Sequence, residues 1–465
     1  MAIGGLALGL RLWGLGQLHT LVFDEIYYVP FALDYLDHMP RFDAHPPLGK
    51  YLIALGIWLS RGPAVWLNWP TIAVQNQAIS PLSFRWLNAA LGATVPLVGA
   101  WLGWQLSAAY PRQRRVGFGL MVALLLSLEG LTLVESRLGL INLFGLWLGL
   151  LGQGCWLRGR RSPLDPRPSW LWTGAAGVCL GAAISVKWNF AGFWLAVVLL
   201  GMGRWQPQPG AESRVAQRRG YLVALGLVPL ITYGLLWLPH LGLTQTSLLE
   251  VHQQLWHYHQ SLEGGNAIHP YCSSWYTWPL LLRPVAYFYQ GVGPWPPETI
   301  LHPVVIPGTV YTLHALGNPV LWWLSTAAVL ALLLGYGSKV MASWAQGYRS
   351  QNHRPQNHWL QGLRAQGMSP PVPSFILVNY AAHWLPWALV SRCTFFYHAL
   401  GIGVFSTIAL AWLLSRWWLD PRYRVWGWVV LGAIALSFWF WLPLYLGLPL
   451  SAEALQRRWL IPSWP

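Results

Sequence analysis

From end to end this chain is a succession of apolar runs long enough to cross a bilayer. They cover roughly 2–18, 86–107, 117–134, 139–157, 170–186, 190–203, 221–239, 316–335, 374–390, 398–415 and 425–446. About 20 apolar residues of helix cross a hydrocarbon core of about 30 Å. In lipid every backbone polar group must pair internally, so runs of this kind are helices rather than barrel strands. Charged residues make up 9% of the chain, against about 25% in soluble domains. The expectation is an all-α polytopic membrane protein, a single membrane domain over 1–465 with about eleven transmembrane helices.

The net charge of +15 could suggest a nucleic-acid partner. Its distribution excludes one. The loops between runs alternate between two sides. One set carries Arg112, Arg114, Arg115, Arg158, Arg160, Arg161, Arg167, Arg204, Arg214, Arg218, Arg219, Lys339, Arg349, Arg354, Arg364, Arg416, Arg422 and Arg424, against only Asp165, Glu212 and Asp420. Basic and acidic residues nearly balance on the other side. This is the positive-inside pattern, and it puts the N-terminus in the cytoplasm and the C-terminus outside. The run before Arg11 is short, which fits a trimmed start better than a cleaved signal peptide.

Two outer loops are long. The first, 19–85, holds the stretch LGKYLIALGIWLS, too short to span and read as an interfacial helix. The second, 240–315, is rich in His, Trp, Tyr and Pro and has Arg283 as its one basic residue. It reads as an ordered cap over the reaction centre, with Trp275 and Trp278 as acceptor contacts; sealing the bundle is the alternative. The inner loop 336–373 reads as solvated. Cys155, Cys179, Cys272 and Cys393 show no metal spacing. Cys272 and Cys393 fall on the outer side, where unpaired thiols are favoured over a bridge. The 34 Trp residues mostly suit an aromatic belt.

Asp24 and Glu25 follow the first run directly. Adjacent acids there belong to a water-facing site, because a charge at a helix centre costs about 2.5–3.5 kcal/mol. At the same outer level lie Arg85, Glu135, Arg137, Lys187 and Arg392. Cations beside a carboxylate pair suit an anionic lipid-phosphate leaving group next to a general base. Each cation also reads as a helix-end charge reaching headgroups, and the two acids as structural partners of the arginines. His45, before two prolines, could touch a sugar or phosphate or only brace a turn. His252, His257 and His259 lack the pattern of a metal site.

The ordered set FDEIYYVPFALDYL, HPPLGK, SFRWLNAALG, ESRLGLINLF, SVKWNFAGFW, HPYCSSWYTWPLLLRP, LGNPVLWW and SRCTFFYH resembles the protein O-mannosyltransferases, in order over nearly the whole chain. The ending LYLGLPLSAEALQRRWLIPSWP is similar to bacterial members. The resemblance implies a GT-C glycosyltransferase fold with eleven spans, no cofactor, and a multi-pass protein of the cell (inner) membrane with its active site on the outer, periplasmic side. It implies polyprenyl-phosphate mannose as donor and Ser/Thr-containing exported polypeptides as acceptors, in contact with membrane lipids and the secretion machinery. Asp24 corresponds to the family's base and Glu25 to its acceptor-binding acid. The cations Lys187, Arg392 and Arg137 are then expected on the donor phosphate, with His45 and Arg85 as further site candidates. Where the family opens its fourth span with Asp, this chain has Asn142, which still donates and accepts hydrogen bonds. A related enzyme with a lipid or glycan acceptor is one alternative. A lipid-linked-sugar flippase is another, although neither midplane charges nor repeat halves are visible.

Overall fold

The computed structural model describes residues 2–160, 169–202, 220, 222–261, 269–291, 306, 308–349 and 371–465. Most of the inner loop 336–373 lies outside these residues, as do Arg161, Arg167, Arg204, Arg214, Arg218, Arg219, Arg354 and Arg364. Each apolar run carries a helix. In chain order the elements are α1 (Ala2–Leu12), α2 (Glu25–Leu36), α3 (Leu48–Trp66), β1 (Ile72–Val74), β2 (Gln77–Ile79), α4 (Pro81–Leu106), α5 (Arg112–Ser127), α6 (Gly130–Ser136), α7 (Asn142–Gly159), α8 (Ser169–Val186) and α9 (Ala191–Met202). They continue with α10 (Val228–Thr244), α11 (Leu248–Ser261), β3 (Val285–Gln290), β4 (Thr309–Ala315), α12 (Pro319–Arg349), α13 (Val372–Trp384), α14 (Leu400–Leu419), α15 (Arg424–Leu446), β5 (Leu450–Ser451) and α16 (Ala452–Gln456).

Among the described residues, four helices are long and apolar enough to cross a membrane alone: Pro81–Leu106, Val223–Thr244, Phe396–Leu419 and Arg424–Leu446. α5 and α6, bent by 64° at a short break, make a fifth span when taken together. Shorter apolar helices lie at Ala2–Leu12, Trp170–Val186, Trp188–Met202 and Pro319–Gly335. The α5–α6 break has a cause. The Glu129 side chain accepts from Leu131 N at 3.0 Å and Thr132 N at 2.6 Å, capping α6 as a new helix. Irregular backbone at this depth is tolerated because protein surrounds it.

Small residues let the helices approach closely, as expected where lipid removes the hydrophobic drive. On α7, a Cβ at Gly145 or Gly149 would sit 2.1 Å from the Phe190 or Phe193 ring. α3 is a helix over the stretch read as interfacial in the loop 19–85. It buries Gly49, Ile53, Ala54, Gly56 and Ile57 but exposes Leu55, Trp58, Leu59, Val65 and Trp66. Its open face is therefore an apolar stripe, suited to lying in a headgroup layer.

The expectation of an all-α protein needs one correction. β3, β4 and β5 form a three-stranded antiparallel sheet in that order, and β1 pairs with β2. These strands are short and lie in the outer loops and tail, where a search for long apolar runs does not register them. The expectation of unpaired thiols is corrected too. Cys272 and Cys393 form a disulfide with a Cα–Cα distance of 5.3 Å. Beside it, Ser273 N donates to Thr394 O at 2.7 Å and Thr394 Oγ1 to Ser273 O at 2.6 Å.

Candidate active site

The link from α1 to α2 turns back through Phe23, whose φ of 53° is left-handed, and delivers two carboxylates to opposite environments. Glu25 is fully buried. Its Oε1 accepts from Arg85 Nε at 2.8 Å and Gly139 N at 2.6 Å; its Oε2 accepts from Arg85 Nη2 at 2.7 Å and Val22 N at 2.8 Å. Four donors fill the acceptor sites of a carboxylate. The expectation that Glu25 meets an acceptor is therefore corrected, because both of its oxygens are fully engaged within the protein. Arg85 is likewise no substrate contact. It also donates to Leu18 O at 2.9 Å and Thr20 O at 2.8 Å, pinning the α1–α2 link.

Asp24 points the other way. It is partly exposed, and its side chain takes no hydrogen bond from the described residues. Burial raises its carboxyl to about 6; Lys187 pulls it down and Asp43 pushes it up. Lys187 follows the C-terminus of α8 and is buried. It donates to Asn142 Oδ1 at 3.3 Å and lies 5.1 Å above the centre of the Tyr397 ring. Burial lowers its ammonium to about 8, against the pull of Asp24. Arg392 stands in the same field and, among the described residues, donates only to Cys393 O at 3.3 Å. The disulfide next to it ties its segment to the second outer loop.

His45 belongs to this group. Its ring centre lies 6.3 Å from Tyr28 and 6.2 Å from His259, which is bonded to Ala44 O at 3.0 Å. Burial, with Lys187 and Lys50 nearby, keeps His45 well below its ordinary range, so it is neutral. The expected role of Arg137 is corrected. Its guanidinium donates to Leu10 O at 2.8 Å and Trp13 O at 2.7 Å, and the charges it feels are Arg85 and Arg11 rather than the Lys187 group. Asn142 donates to Glu135 Oε2 at 3.0 Å while holding Lys187, so it helps position the cation.

Trp278 is fully buried, with Nε1 on Ser273 Oγ at 2.9 Å and its carbonyl taken by Trp322 at 2.9 Å. It cannot face an acceptor. Trp275 packs edge-on against Trp384, 5.2 Å between centres, and accepts at its carbonyl from the Trp384 indole. Trp278 thus seals the loop to the bundle, while Trp275 is half-buried. Trp278→Ala is expected to lower the melting temperature of the detergent-solubilised protein by several degrees while leaving the acceptor KM of the surviving fraction unchanged. A changed acceptor KM at unchanged stability would restore the cap.

Sequence reasoning missed Asp43, which pairs with Lys50. It sits two residues before His45 in the same motif, which was the available signal. Tyr28, Tyr287 and Tyr397 around Asp24 gave no signal, since aromatics are abundant throughout.

Basic residues lie at the helix ends away from this group. α7 starts at Asn142 beside Lys187 and ends at Arg158 and Arg160; α14 starts near Tyr397 and ends at Arg416. This helical bundle is a fold that solved structures share. The protein O-mannosyltransferase complex Pmt1-Pmt2 of S. cerevisiae, solved with its sugar donor, aligns with a TM-score of 0.78 at 15% identity, over 100% of this chain and 92% of that one. ArnT from Cupriavidus metallidurans aligns with a TM-score of 0.55 at 12% identity, over 94% and 62%.

The sequence matches the family described as dolichyl-phosphate-mannose-protein mannosyltransferase over residues 1–243, and the C-terminal four-span region of protein O-mannosyltransferase over 244–464. The chain belongs to the protein O-mannosyltransferase family, and is a glycosyltransferase. It is 24% identical over 519 residues to the polyprenol-phosphate-mannose–protein mannosyltransferase of Mycolicibacterium smegmatis, covering 96% of this chain and 88% of the relative. It is 30% identical over 282 residues to protein O-mannosyl-transferase 1 of Mus musculus, covering 57% and 36%.

Proposed function

We propose that this enzyme transfers mannose from polyprenyl-phosphate mannose to Ser or Thr hydroxyls of exported proteins, on the outer face of the cell membrane and with inversion. The observation that carries the reading is the Asp24 carboxylate, without a hydrogen-bond partner among the described residues, in the field of Lys187, which in turn feels Arg392. A hydroxyl is a poor nucleophile and needs a base within reach. Asp24 takes its proton as the oxygen attacks the anomeric carbon. The bond to the phosphate oxygen breaks through an oxocarbenium-like state. Lys187 and Arg392 take up the negative charge that develops on the leaving polyprenyl phosphate, which needs neither cofactor nor metal. One displacement at one carbon inverts its configuration.

The basic ends of α7 and α14, with the charge asymmetry of the loops, support eleven crossings, a cytoplasmic N-terminus and an outer C-terminus. The acceptor then arrives from the secretion machinery while the donor's tail stays among membrane lipids. Purified enzyme given donor and a Ser/Thr peptide should release polyprenyl phosphate and form glycopeptide. Release that does not depend on the peptide, or none at all, would refute the reading.

Lys187→Ala and Arg392→Ala are each expected to weaken donor binding by about 10- to 100-fold, the worth of a charge-assisted hydrogen bond, with little change in peptide affinity. Direct binding of the donor to each variant tests this. Unchanged affinity in both would move the phosphate elsewhere.

A further inference from the structure

Tyr287 belongs to the long outer loop, far in sequence from the catalytic groups, yet it touches the supports of two of them. β3 pairs with β4 with Ala286 opposite His314 and Phe288 opposite Leu313, so Tyr287 has no partner in the register. This is a bulge, a device that re-aims a side chain. Its effect is visible in the burial, because Tyr287 and Phe288 are both buried where a regular strand would alternate. The re-aimed ring lies flat on Phe23, with centres 4.0 Å apart and planes 9° apart. Phe23 also meets Tyr397 edge-on at 5.7 Å, and Tyr397 lies beneath Lys187. The Tyr287 hydroxyl donates to Glu135 Oε1, the other oxygen of Glu135 is held by Asn142, and Asn142 accepts from Lys187.

We propose that Tyr287 is a positioning residue for both reacting groups, setting Asp24 through its ring and Lys187 through its hydroxyl. The ring acts through Phe23. A non-glycine residue keeps a left-handed backbone only where its surroundings over-determine it, and here the stack against Tyr287 does so one residue before the base. The hydroxyl acts through Glu135. One bond on each oxygen fixes the plane of this carboxylate, and in that orientation Lys187 donates to Asn142 instead, so its ammonium remains available to an anionic leaving group. Among the described residues no Lys187–Glu135 ion pair is formed. The outer loop therefore takes part in the site by aligning it, although the buried Trp278 does not face an acceptor.

The inference rests on the proposed roles of Asp24 and Lys187, and two substitutions separate its arms. Tyr287→Phe keeps the stack and frees Glu135. It should raise the dissociation constant for polyprenyl phosphate about tenfold and lower kcat by a similar factor, because Lys187 also meets the charge of the leaving group. Adding Glu135→Gln to Tyr287→Phe removes the competing charge and should recover most of that affinity. Tyr287→Leu loses the stack as well and should lower kcat about tenfold beyond the Phe variant. A purely structural tyrosine would lower thermal stability in both variants without splitting affinity from kcat. The inference is overturned if Tyr287→Phe binds polyprenyl phosphate within twofold of the parent, or if Tyr287→Leu shows the same kcat as Tyr287→Phe. Polyprenyl phosphate binding needs no sugar transfer, so it tests the hydroxyl arm even if the parent enzyme fails to mannosylate, an outcome that would sink the proposed function instead.

Discussion

Asp24→Asn is expected to lower turnover by about 10²- to 10⁴-fold while the protein stays folded and binds its donor. The change keeps the shape and removes the only function a general base has. The pH profile of the parent enzyme should carry the signature of the same group. Asp24 must be ionised, and burial holds its carboxyl at about 6, so activity should fall below that pH. Lys187 must be protonated, and burial holds it at about 8, so activity should fall again above that. The expected profile is a bell with its maximum near neutrality. Stability has the opposite dependence on Asp24. Its folded value lies above the ordinary 3.8, so the folded protein holds the proton more tightly and loses stability as pH rises through about 4 to 6. Asp24→Asn should remove that loss and melt slightly higher than the parent at pH 7. Near-normal turnover in a folded Asp24→Asn protein would end the assignment, and so would a rate that does not fall below pH 6.

The legible part of this protein was the part set by the bilayer. Apolar length and basic asymmetry are written residue by residue, and every expected run carries a helix. Asp24, Lys187 and Arg392 read as one group, with Glu25, Arg85, Glu135 and Arg137, because charges at one membrane level are few and each needs a reason; His45 joins them without having been placed there. Direction was not legible. Asp24 and Glu25 are neighbours in sequence, but after the turn at Phe23 one stays partly exposed and the other is fully buried, and nothing in the pair says which. Trp278 looks like free aromatic surface until it is seen fully buried with its indole on Ser273. Arg137 reads like Lys187 until α1 is seen to end against it. Tyr287 could not have been singled out, since its position depends on a bulge set by pairing with a strand some 25 residues later.

Arg85→Met is expected to destabilise the protein by about 3–5 kcal/mol, the cost of leaving one member of a buried ion pair alone. Both side chains are almost wholly buried, and the pair is bidentate, with two parallel bonds of 2.8 and 2.7 Å. Removing Arg85 strands a carboxylate that keeps only the amides of Val22 and Gly139, and it also frees the carbonyls of Leu18 and Thr20. Arg85→Lys should rescue little, because a point charge cannot reproduce the planar fork. The double change Arg85→Met with Glu25→Gln should be more stable than Arg85→Met alone, since it removes the orphaned charge along with its partner. Thermal melting in detergent reads these differences. The consequence for function follows from position. Glu25 is the residue after Asp24, so the pair fixes the backbone that carries the base, and Arg85→Lys molecules that remain folded should lose kcat more than donor affinity. Arg85→Met as stable as the parent, or a double change less stable than the single one, would show that the α1–α2 link is held by something else.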